Sequence, residues 1–393
     1  MKKLLLITLS LFLFLSCKKT DKEILNETIS QLTSITNIEY DVIIENVNKS
    51  HNQNIKESAT CYFDFSSKDT LIGSKYHFNV NNYGEQVFNG KQEFSSQNKE
   101  ELVLYNEYPN KRQVSSSMFM FNSFFTLRKI LPEIIQDSTI KIGQAQDTIL
   151  LDKECYKFDI LMKGKFIGIG GEILKGKKQK LTDSINYVLF ISKKDYLPIR
   201  FGNIQPKNQG HNYSTFSNYK IPNTKNDSIW NYSRFPKEYL RSTYNDYYDG
   251  LRKKNKNWIG TEAPDWELSD LEEKPIKFSN LDKNMVLLEF WFPYCGGCVQ
   301  ATPILNEIQK NYKDKGLSIY GIEFTNTPAK ALLEYSEKQN VEISTLYNGK
   351  NVSKDYGVYA APTFFLIDKK GEIIYTSVGL NKEKLIEEIE KNI

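Results

Sequence analysis

Two cysteines, Cys295 and Cys298, stand two residues apart between a strand-like run and a helix-like run. Residues 286–292 are apolar except for Glu289, which is typical of a buried strand, and apolar residues recur at helical spacing after Cys298. A Cys-x-x-Cys pair at such a junction is typical of thiol–disulfide chemistry. The start of a helix offers unpaired N–H groups and a positive dipole end, which favour a thiolate over a thiol. The spacing therefore predicts a redox-active disulfide between Cys295 and Cys298.

The elements that must position this pair occupy residues 258–393. Strands are predicted at 286–292, 317–324, 364–367 and 372–377, and helices from Cys298 to about Tyr312, at 329–338 and at 382–392. Strands that alternate with helices, followed by a β-hairpin and a last helix, are typical of a thioredoxin fold. We therefore predict an α/β domain of this fold over residues 258–393.

Several motifs in this segment resemble the TlpA/ResA-like branch of the thioredoxin superfamily. They are, in order, Gly260-Thr261-Glu262-Ala263-Pro264-Asp265, Phe290-Trp291, Cys295-Gly296-Gly297-Cys298, Pro303 and Ala361-Pro362-Thr363. The resemblance implies a cis-proline at Pro362 that faces the cysteines, beside which Ala361 to Thr363 bind an extended substrate peptide by strand addition. It also implies a disulfide reductase that acts on disulfide-bearing envelope proteins, with apocytochrome c as one substrate of that family. A membrane electron donor would keep it reduced, and no cofactor is implied.

The residues around the pair have expected roles. Cys295 is expected to be the exposed nucleophile, and Cys298, one turn later, the more buried resolving thiol. Glu289 stands where thioredoxins have a buried carboxylate. Desolvation there should raise its pKa and make it the proton acceptor for Cys298. For Trp291, both substrate contact and simple core packing remain open. The Gly296-Gly297 dipeptide departs from the family, which often has a proline before the second cysteine.

Two rival interpretations of the cysteines fit the sequence less well. A zinc site requires about four ligands, but residues 258–393 contain no further Cys and no His. We therefore predict no metal. A peroxidase of the AhpC type would have Thr or Ser three residues before its reactive cysteine, where this chain has Phe292. Peroxidase activity is kept as an alternative on the ground of the related fold.

Residues 38–229 are predicted to form a β-rich domain, a curved antiparallel sheet like half of a barrel with few helices. Its aromatic-rich runs suit half-buried strands, and Asn89-Gly90 is a typical hairpin turn. Cys61 and Cys155 lie on strand-like runs. They are expected either to form a structural disulfide or to be buried as small hydrophobic residues, and both interpretations remain open.

Three segments of this region resemble the LolA-like lipoprotein carriers. They are Phe88-Asn89-Gly90-Lys91, residues 151–157 and residues 190–200. The resemblance implies a cavity for an apolar ligand, whereas the other interpretation is a spacer or a domain that docks a partner. An envelope lipoprotein that binds a lipid or a protein, with an accessory redox domain, is therefore a second hypothesis for the whole chain.

The first 17 residues are predicted to be a lipoprotein signal peptide. Lys2 and Lys3 precede an apolar run, at residues 4–16, that is too short for a comfortable membrane span. Residues 15–17 resemble a bacterial lipobox, which implies lipidation of Cys17. The alternative is a plain secretory signal. Either one predicts an exported chain, located in the bacterial cell envelope and anchored to the membrane by the lipid if Cys17 is modified.

The remaining predictions concern charge and domain organisation. Because 52 basic residues nearly balance 48 acidic ones, the composition gives no reason to expect nucleic acid as a partner. We expect a tether and short helix at 18–37 and a linker at 230–257 between the two domains. The sequence as a whole therefore predicts an exported, lipid-anchored thiol–disulfide oxidoreductase.

Overall fold

The computed structural model describes residues 19–48, 53–66, 71–81, 83–176, 184–205, 210–222, 227–281 and 284–393. The predicted signal peptide and its Cys17 lie outside these residues. Within the described ranges, no helix is long and apolar enough to cross a membrane. These described residues divide into two compact units: those within 19–47, 54–101 and 107–236 form the first, and Asn48, Gln53 and those within 102–106 and 237–393 form the second.

The elements before residue 237 are mostly strands. The helices are α1 (Asp21–Ser34), α2 (Lys111–Ser115) and α3 (Phe124–Gln136). The strands are β1 (Asn37–Asn48), β2 (Gln53–Asp64), β3 (Lys75–Val80), β4 (Gly84–Phe88), β5 (Glu93–Gln97), β6 (Leu102–Asn106), β7 (Lys141–Ile142), β8 (Gln146–Leu150), β9 (Lys153–Lys163), β10 (Lys165–Ile167), β11 (Ile173–Lys175), β12 (Ser184–Ser192), β13 (Pro198–Gln205) and β14 (Gly210–Lys220).

The first unit is built on a large sheet with few helices, which confirms the predicted fold class. Its strands follow the order β5-β4-β3-β2-β1-β14-β13-β12-β9-β7, and β8 also pairs with β9. The described strands do not close into a barrel. Helices α1 and α3 pack on each other and share one hydrophobic core with the sheet. Tyr40 of β1, for example, packs its ring 4.8 Å from that of Phe124 in α3.

The later elements include the predicted α/β pattern. The strands are β15 (Leu240–Thr243), β16 (Glu267–Asp270), β17 (Pro275–Lys277), β18 (Met285–Trp291), β19 (Leu317–Glu323), β20 (Ser344–Tyr347), β21 (Thr363–Ile367) and β22 (Ile373–Val378). The helices are α4 (Tyr244–Lys256), α5 (Gly296–Tyr312), α6 (Ala329–Gln339), α7 (Lys350–Asp355) and α8 (Lys382–Asn392). The stretch 230–257, where the sequence predicts a linker, thus contains β15 and α4, and β15 pairs in parallel with β6.

The second unit has the predicted thioredoxin fold. Its main sheet has the order β17-β16-β20-β19-β18-β21-β22. Strands β18, β19 and β20 are parallel to one another, and β21 and β22 extend the sheet by antiparallel pairing. All seven side chains of β18 are buried, which explains its nearly continuous apolar sequence. This strand and the helix that follows it, α5, position the cysteine pair.

Candidate active site

Glu289 lies on the face of β18 that α5 covers. Side chains alternate along a strand, and Met285 and Leu287 pack with Leu305 of α5 in one core cluster. Glu289 continues this row toward the start of the helix. Its side chain is only 4% exposed, and its Oε1 has no hydrogen-bond partner within the described chain. Burial raises the pKa of Glu289 to about 8, because a carboxylate loses its hydration in such a place.

Cys295 and Cys298 form a disulfide at the start of α5, with their Cα atoms 5.2 Å apart. Cys295 is the N-cap residue of the helix, and the backbone N–H of Cys298 donates to its Sγ at 3.3 Å. The sulfur therefore stands where a Ser or Asp oxygen usually caps a helix. Cys295 is 7% exposed and Cys298 2%. Both are thus largely buried in this disulfide state, and Cys295 retains slightly more surface.

The segment 360–363 lies directly against the pair. The Ala361–Pro362 peptide bond is cis, and the Ala361 carbonyl oxygen lies 3.5 Å from the Sγ of Cys295. Ala361 is partly exposed, whereas Pro362 and Thr363 are buried. The Thr363 hydroxyl donates to the Ala360 carbonyl at 2.7 Å. Ala361 therefore presents its backbone carbonyl group to the Cys295 sulfur, while the Thr363 side chain holds the segment in place.

Aromatic side chains surround the disulfide. Trp291, Leu332 and Tyr335 form one buried cluster with the two cysteines, and Tyr294 packs against it. The rings of Trp291 and Tyr335 are 5.6 Å apart, and those of Tyr294 and Tyr335 are 5.1 Å apart. Burial raises the pKa of Tyr335, and the nearby Glu289 carboxyl group raises it further. Trp291 is only 4% exposed, which is the environment of a packing residue.

No sequence motif marks Tyr335 and Leu332 as parts of the site. They lie on α6, far along the chain from the cysteines, and the fold brings this helix against the cysteine pair. The only available signal was their spacing of three residues, which places both on one face of a helix. Cys61 and Cys155 lie outside the site. Both are buried, and no disulfide joins them.

This arrangement performs thiol–disulfide exchange. It combines a helix-capped sulfur, a second cysteine behind it, and a buried carboxyl group on the adjacent strand. The position three residues before Cys295, where an AhpC-type peroxidase would have a hydroxyl, holds Phe292, whose ring packs 5.9 Å from that of Phe324.

Known proteins with similar sequences include a thiol-disulfide oxidoreductase and a thioredoxin-like protein. A model of the AhpC/TSA family matches residues 259–376. The thiol-disulfide oxidoreductase ResA of Bacillus thuringiensis subsp. konkukian is 34% identical over 150 residues, which is 37% of this chain and 85% of the relative. The thioredoxin-like protein YneN of Bacillus subtilis is 30% identical over 151 residues, which is 38% of this chain and 85% of the relative.

A crystal structure of the thioredoxin domain of a thiol-disulfide oxidoreductase from Bacteroides vulgatus is 26% identical, covers 34% of this chain and 96% of its own, and has a TM-score of 0.31. The match to ResA extends over most of that relative's length, and the disulfide of Cys295 and Cys298 lies within the matched fold. The protein is therefore a thiol:disulfide oxidoreductase, and the chain belongs to the TlpA/ResA-like branch of the thioredoxin family.

Proposed function

We propose that the protein reduces disulfides in other exported proteins of the cell envelope. The observation that carries this direction is the apolar and aromatic character of the cluster around Cys295. A pair becomes strongly oxidising when its reduced, thiolate form is stabilised, as in DsbA. Here one N–H donor, from Cys298, faces the Cys295 sulfur, and the apolar and aromatic side chains around it provide no charge that would stabilise a thiolate. This environment favours a pair that donates its electrons.

The proposed reaction has two steps. The Cys295 thiolate attacks one sulfur of the substrate disulfide, and the other substrate sulfur leaves as a thiolate, which produces a mixed disulfide. The Glu289 carboxylate then accepts the Cys298 proton, and Cys298 attacks the Cys295 sulfur. The second substrate sulfur leaves as a thiolate, and the two substrate thiolates take up one proton from Glu289 and one from solvent to give a dithiol. Two electrons pass to the substrate, and the Cys295–Cys298 disulfide remains. A membrane electron donor would reduce it again, and no cofactor takes part in the exchange.

The substrate is proposed to bind as an extended segment beside Ala361. Its partly exposed backbone lies next to the reactive sulfur, which suits strand addition. Disulfide-bearing envelope proteins are the proposed partners, with apocytochrome c among the candidates to assay.

An insulin-reduction assay tests the activity. The wild type should reduce insulin, Cys295→Ser should not, and Cys298→Ser should accumulate a mixed disulfide with substrate. The reduction potential tests the direction: a value near about −270 mV belongs with reducing thioredoxins, and a value near about −120 mV with oxidants such as DsbA. The latter value would contradict the proposed direction.

The membrane anchor is part of the same proposal. The basic start, the short apolar run and Cys17 support export followed by lipidation. Metabolic labelling with palmitate should tag the wild type and not Cys17→Ser, which should leave the membrane fraction. An unlabelled, soluble wild type would indicate a plain secretory signal instead.

A groove in the first unit favours a second candidate function, the binding of an amphipathic ligand. It measures about 560 Å³ and combines apolar side chains with two cations and one carboxylate, from Phe121, Phe166, Ile167, Ile169, Leu174, Lys111, Arg112 and Glu172. Phe166, Ile169 and Leu174 are 37%, 49% and 40% exposed. Grooves of this size with few polar groups suit small ligands. Since Lys111 and Arg112 outnumber the Glu172 carboxylate, the groove favours a ligand that carries an anionic group beside its apolar part.

Binding of an apolar fluorophore and native mass spectrometry test this candidate. Phe166→Ser should weaken fluorophore binding by about 10- to 100-fold, by the loss of about 1.5–3 kcal/mol of apolar burial. Ile149→Ser, on β8 outside the groove and 72% exposed, is the matched control. Equal effects of both changes, or a wild type that binds nothing, would contradict a ligand groove.

A further inference from the structure

Glu323, the last residue of β19, is a fully buried carboxyl group that the proposed reaction does not use. It stands opposite Trp291 in the parallel ladder of β18 and β19. Its Oε1 accepts hydrogen bonds from the backbone N–H of Thr325 at 2.8 Å and from the Thr327 hydroxyl at 3.1 Å. The Thr325 hydroxyl also donates to Oε1. Oε2 accepts from the backbone N–H of Thr327 at 3.1 Å.

These hydrogen bonds fix the loop 324–328 between β19 and α6. The first part of this loop contacts the strand end that leads into the cysteine pair. Phe324 donates its N–H to the Trp291 carbonyl at 3.3 Å and packs its ring on Phe292. The Phe292 carbonyl in turn accepts the N–H of Cys295 at 3.3 Å. Two backbone hydrogen bonds and the Trp291–Phe292 segment between them therefore connect the loop to Cys295.

The last part of the loop begins α6. The Pro328 carbonyl accepts the N–H of Leu332 at 3.1 Å in the first turn of the helix. Leu332 and Tyr335 then pack on Cys295 and Cys298. The loop thus contacts both the end of β18, which precedes the redox pair, and the start of α6, whose side chains pack on the pair.

We infer that Glu323 is a positioning residue for the Cys295–Cys298 pair, and that it acts through Thr325 and Thr327. The inference deepens the proposed reductase function, since it concerns the same site. A buried polar group is tolerated when its hydrogen bonds are satisfied. Both carboxyl oxygens of Glu323 accept hydrogen bonds, so this condition is met. No apolar residue of similar size offers an acceptor to the two threonines. Its role is to hold the loop in one conformation, and the geometry of the cysteines depends on that conformation.

The test compares substitutions of Glu323 in the full-length protein. Glu323→Leu removes every acceptor, whereas Glu323→Gln keeps one oxygen for Thr325. Glu93→Gln is the matched control, because Glu93 is also buried, at 6% exposure, but lies in the first unit, where it accepts from Tyr76. The readouts are the rate at which the reduced pair reacts with dithiobis(nitrobenzoate), the reduction potential, and the fraction folded at the assay temperature.

We expect Glu323→Leu to react about tenfold more slowly and to shift the potential, because small misplacements of reacting groups have large effects on rate. Glu323→Gln should recover part of the rate, and Glu93→Gln should change neither property. If Glu323→Leu does not fold, Thr327→Val provides the comparison and should slow the reaction about twofold. Folded variants with the wild-type rate and potential would show Glu323 to be merely structural and overturn the inference.

This reagent reacts with the cysteines directly and needs no physiological substrate. A protein that reduces the reagent but no protein disulfide would refute the proposed function and leave the comparison of Glu323 variants valid.

Discussion

A Cβ atom added to Gly297 would lie only 2.8 Å from Cδ of Pro362, so the second residue of the Gly296-Gly297 dipeptide packs directly against the proline ring. A proline ring is closed onto its own backbone and cannot swing aside as a flexible side chain would. The same addition at Gly296 would meet no atom within 4 Å. The two glycines of the active-site loop are therefore not equivalent.

Gly297→Ala should impair the site and Gly296→Ala should not. Alanine favours a helix over glycine by up to about 1 kcal/mol, a gain that both variants share at the start of α5. At position 297, overpacking against Pro362 costs roughly 1–3 kcal/mol, which offsets that gain. We expect Gly297→Ala to be less stable and to exchange disulfides several-fold more slowly, and Gly296→Ala to be slightly more stable. Denaturant unfolding and exchange rates check this, and identical behaviour would contradict it.

Glu289→Gln should make the second unit more stable at high pH. The pKa of Glu289 is about 8 in the folded protein, against about 4.3 for an unperturbed glutamate. As the pH rises, the Glu289 carboxyl group therefore ionises at a lower pH in the unfolded chain than in the folded protein. The contribution of the protonated Glu289 to the free energy of unfolding is fully present below about pH 4. It falls by a few kcal/mol as the pH rises to about 8. Denaturant unfolding of the oxidised protein at pH 4 and pH 9 measures this, with the exposed Glu387→Gln as control. A variant no more stable than the wild type at pH 9 would refute the raised pKa.

The same substitution should slow the resolving step. Loss of a positioned general base typically costs about 10²–10⁴-fold in rate, whereas the first attack by Cys295 does not need the Glu289 carboxylate. Stopped-flow kinetics should show the wild-type resolving rate rising as the pH passes about 8, whereas the slower rate of Glu289→Gln should follow only the ionisation of the Cys298 thiol itself. If both steps slow equally, Glu289 does not accept the Cys298 proton.

Acid should weaken the first unit through Glu85. Burial alone would raise the pKa of this carboxyl group, but hydrogen bonds from His77 and Arg234 outweigh it and hold the pKa at about 2. Because the folded pKa is depressed, the stabilisation is present above about pH 4.3 and is lost as the pH falls toward 2. Glu85→Gln should cost about 2–3 kcal/mol at neutral pH. Unfolding curves at pH 7 and pH 3 check this, and the exposed Glu154→Gln should leave both curves unchanged.

The sequence predicts the second unit well because its signals are local. The predicted strand at 286–292 corresponds to β18 (Met285–Trp291), and the predicted last helix matches α8 (Lys382–Asn392). Unbroken apolar runs and helical spacing are sufficient to locate such elements. The sequence also shows that the dipeptide 296–297 departs from the family pattern. It does not predict the contact of Gly297 with Pro362, because that contact depends on how two distant loops meet.

Long-range pairing explains what the sequence could not predict. Strand β1 pairs with β14, so that Val42 lies opposite Phe216, and no pattern within either strand specifies that partner. Tyr335 and Glu323 similarly join the site only through the order of the parallel strands. Glu323 has an ordinary sequence context, and its hydrogen bonds to the following threonines become evident only in three dimensions.

The sulfur cap of α5 makes one backbone amide a reporter of redox state. The N–H of Cys298 donates to the sulfur of Cys295, and an ionised acceptor forms a stronger hydrogen bond than a neutral one. A thiolate at Cys295 should therefore hold this N–H more tightly than the disulfide sulfur does. The ¹⁵N–¹H resonance of Cys298, together with its hydrogen-exchange rate, would then report the charge on the nucleophile in solution, without a chromophore or an attached label.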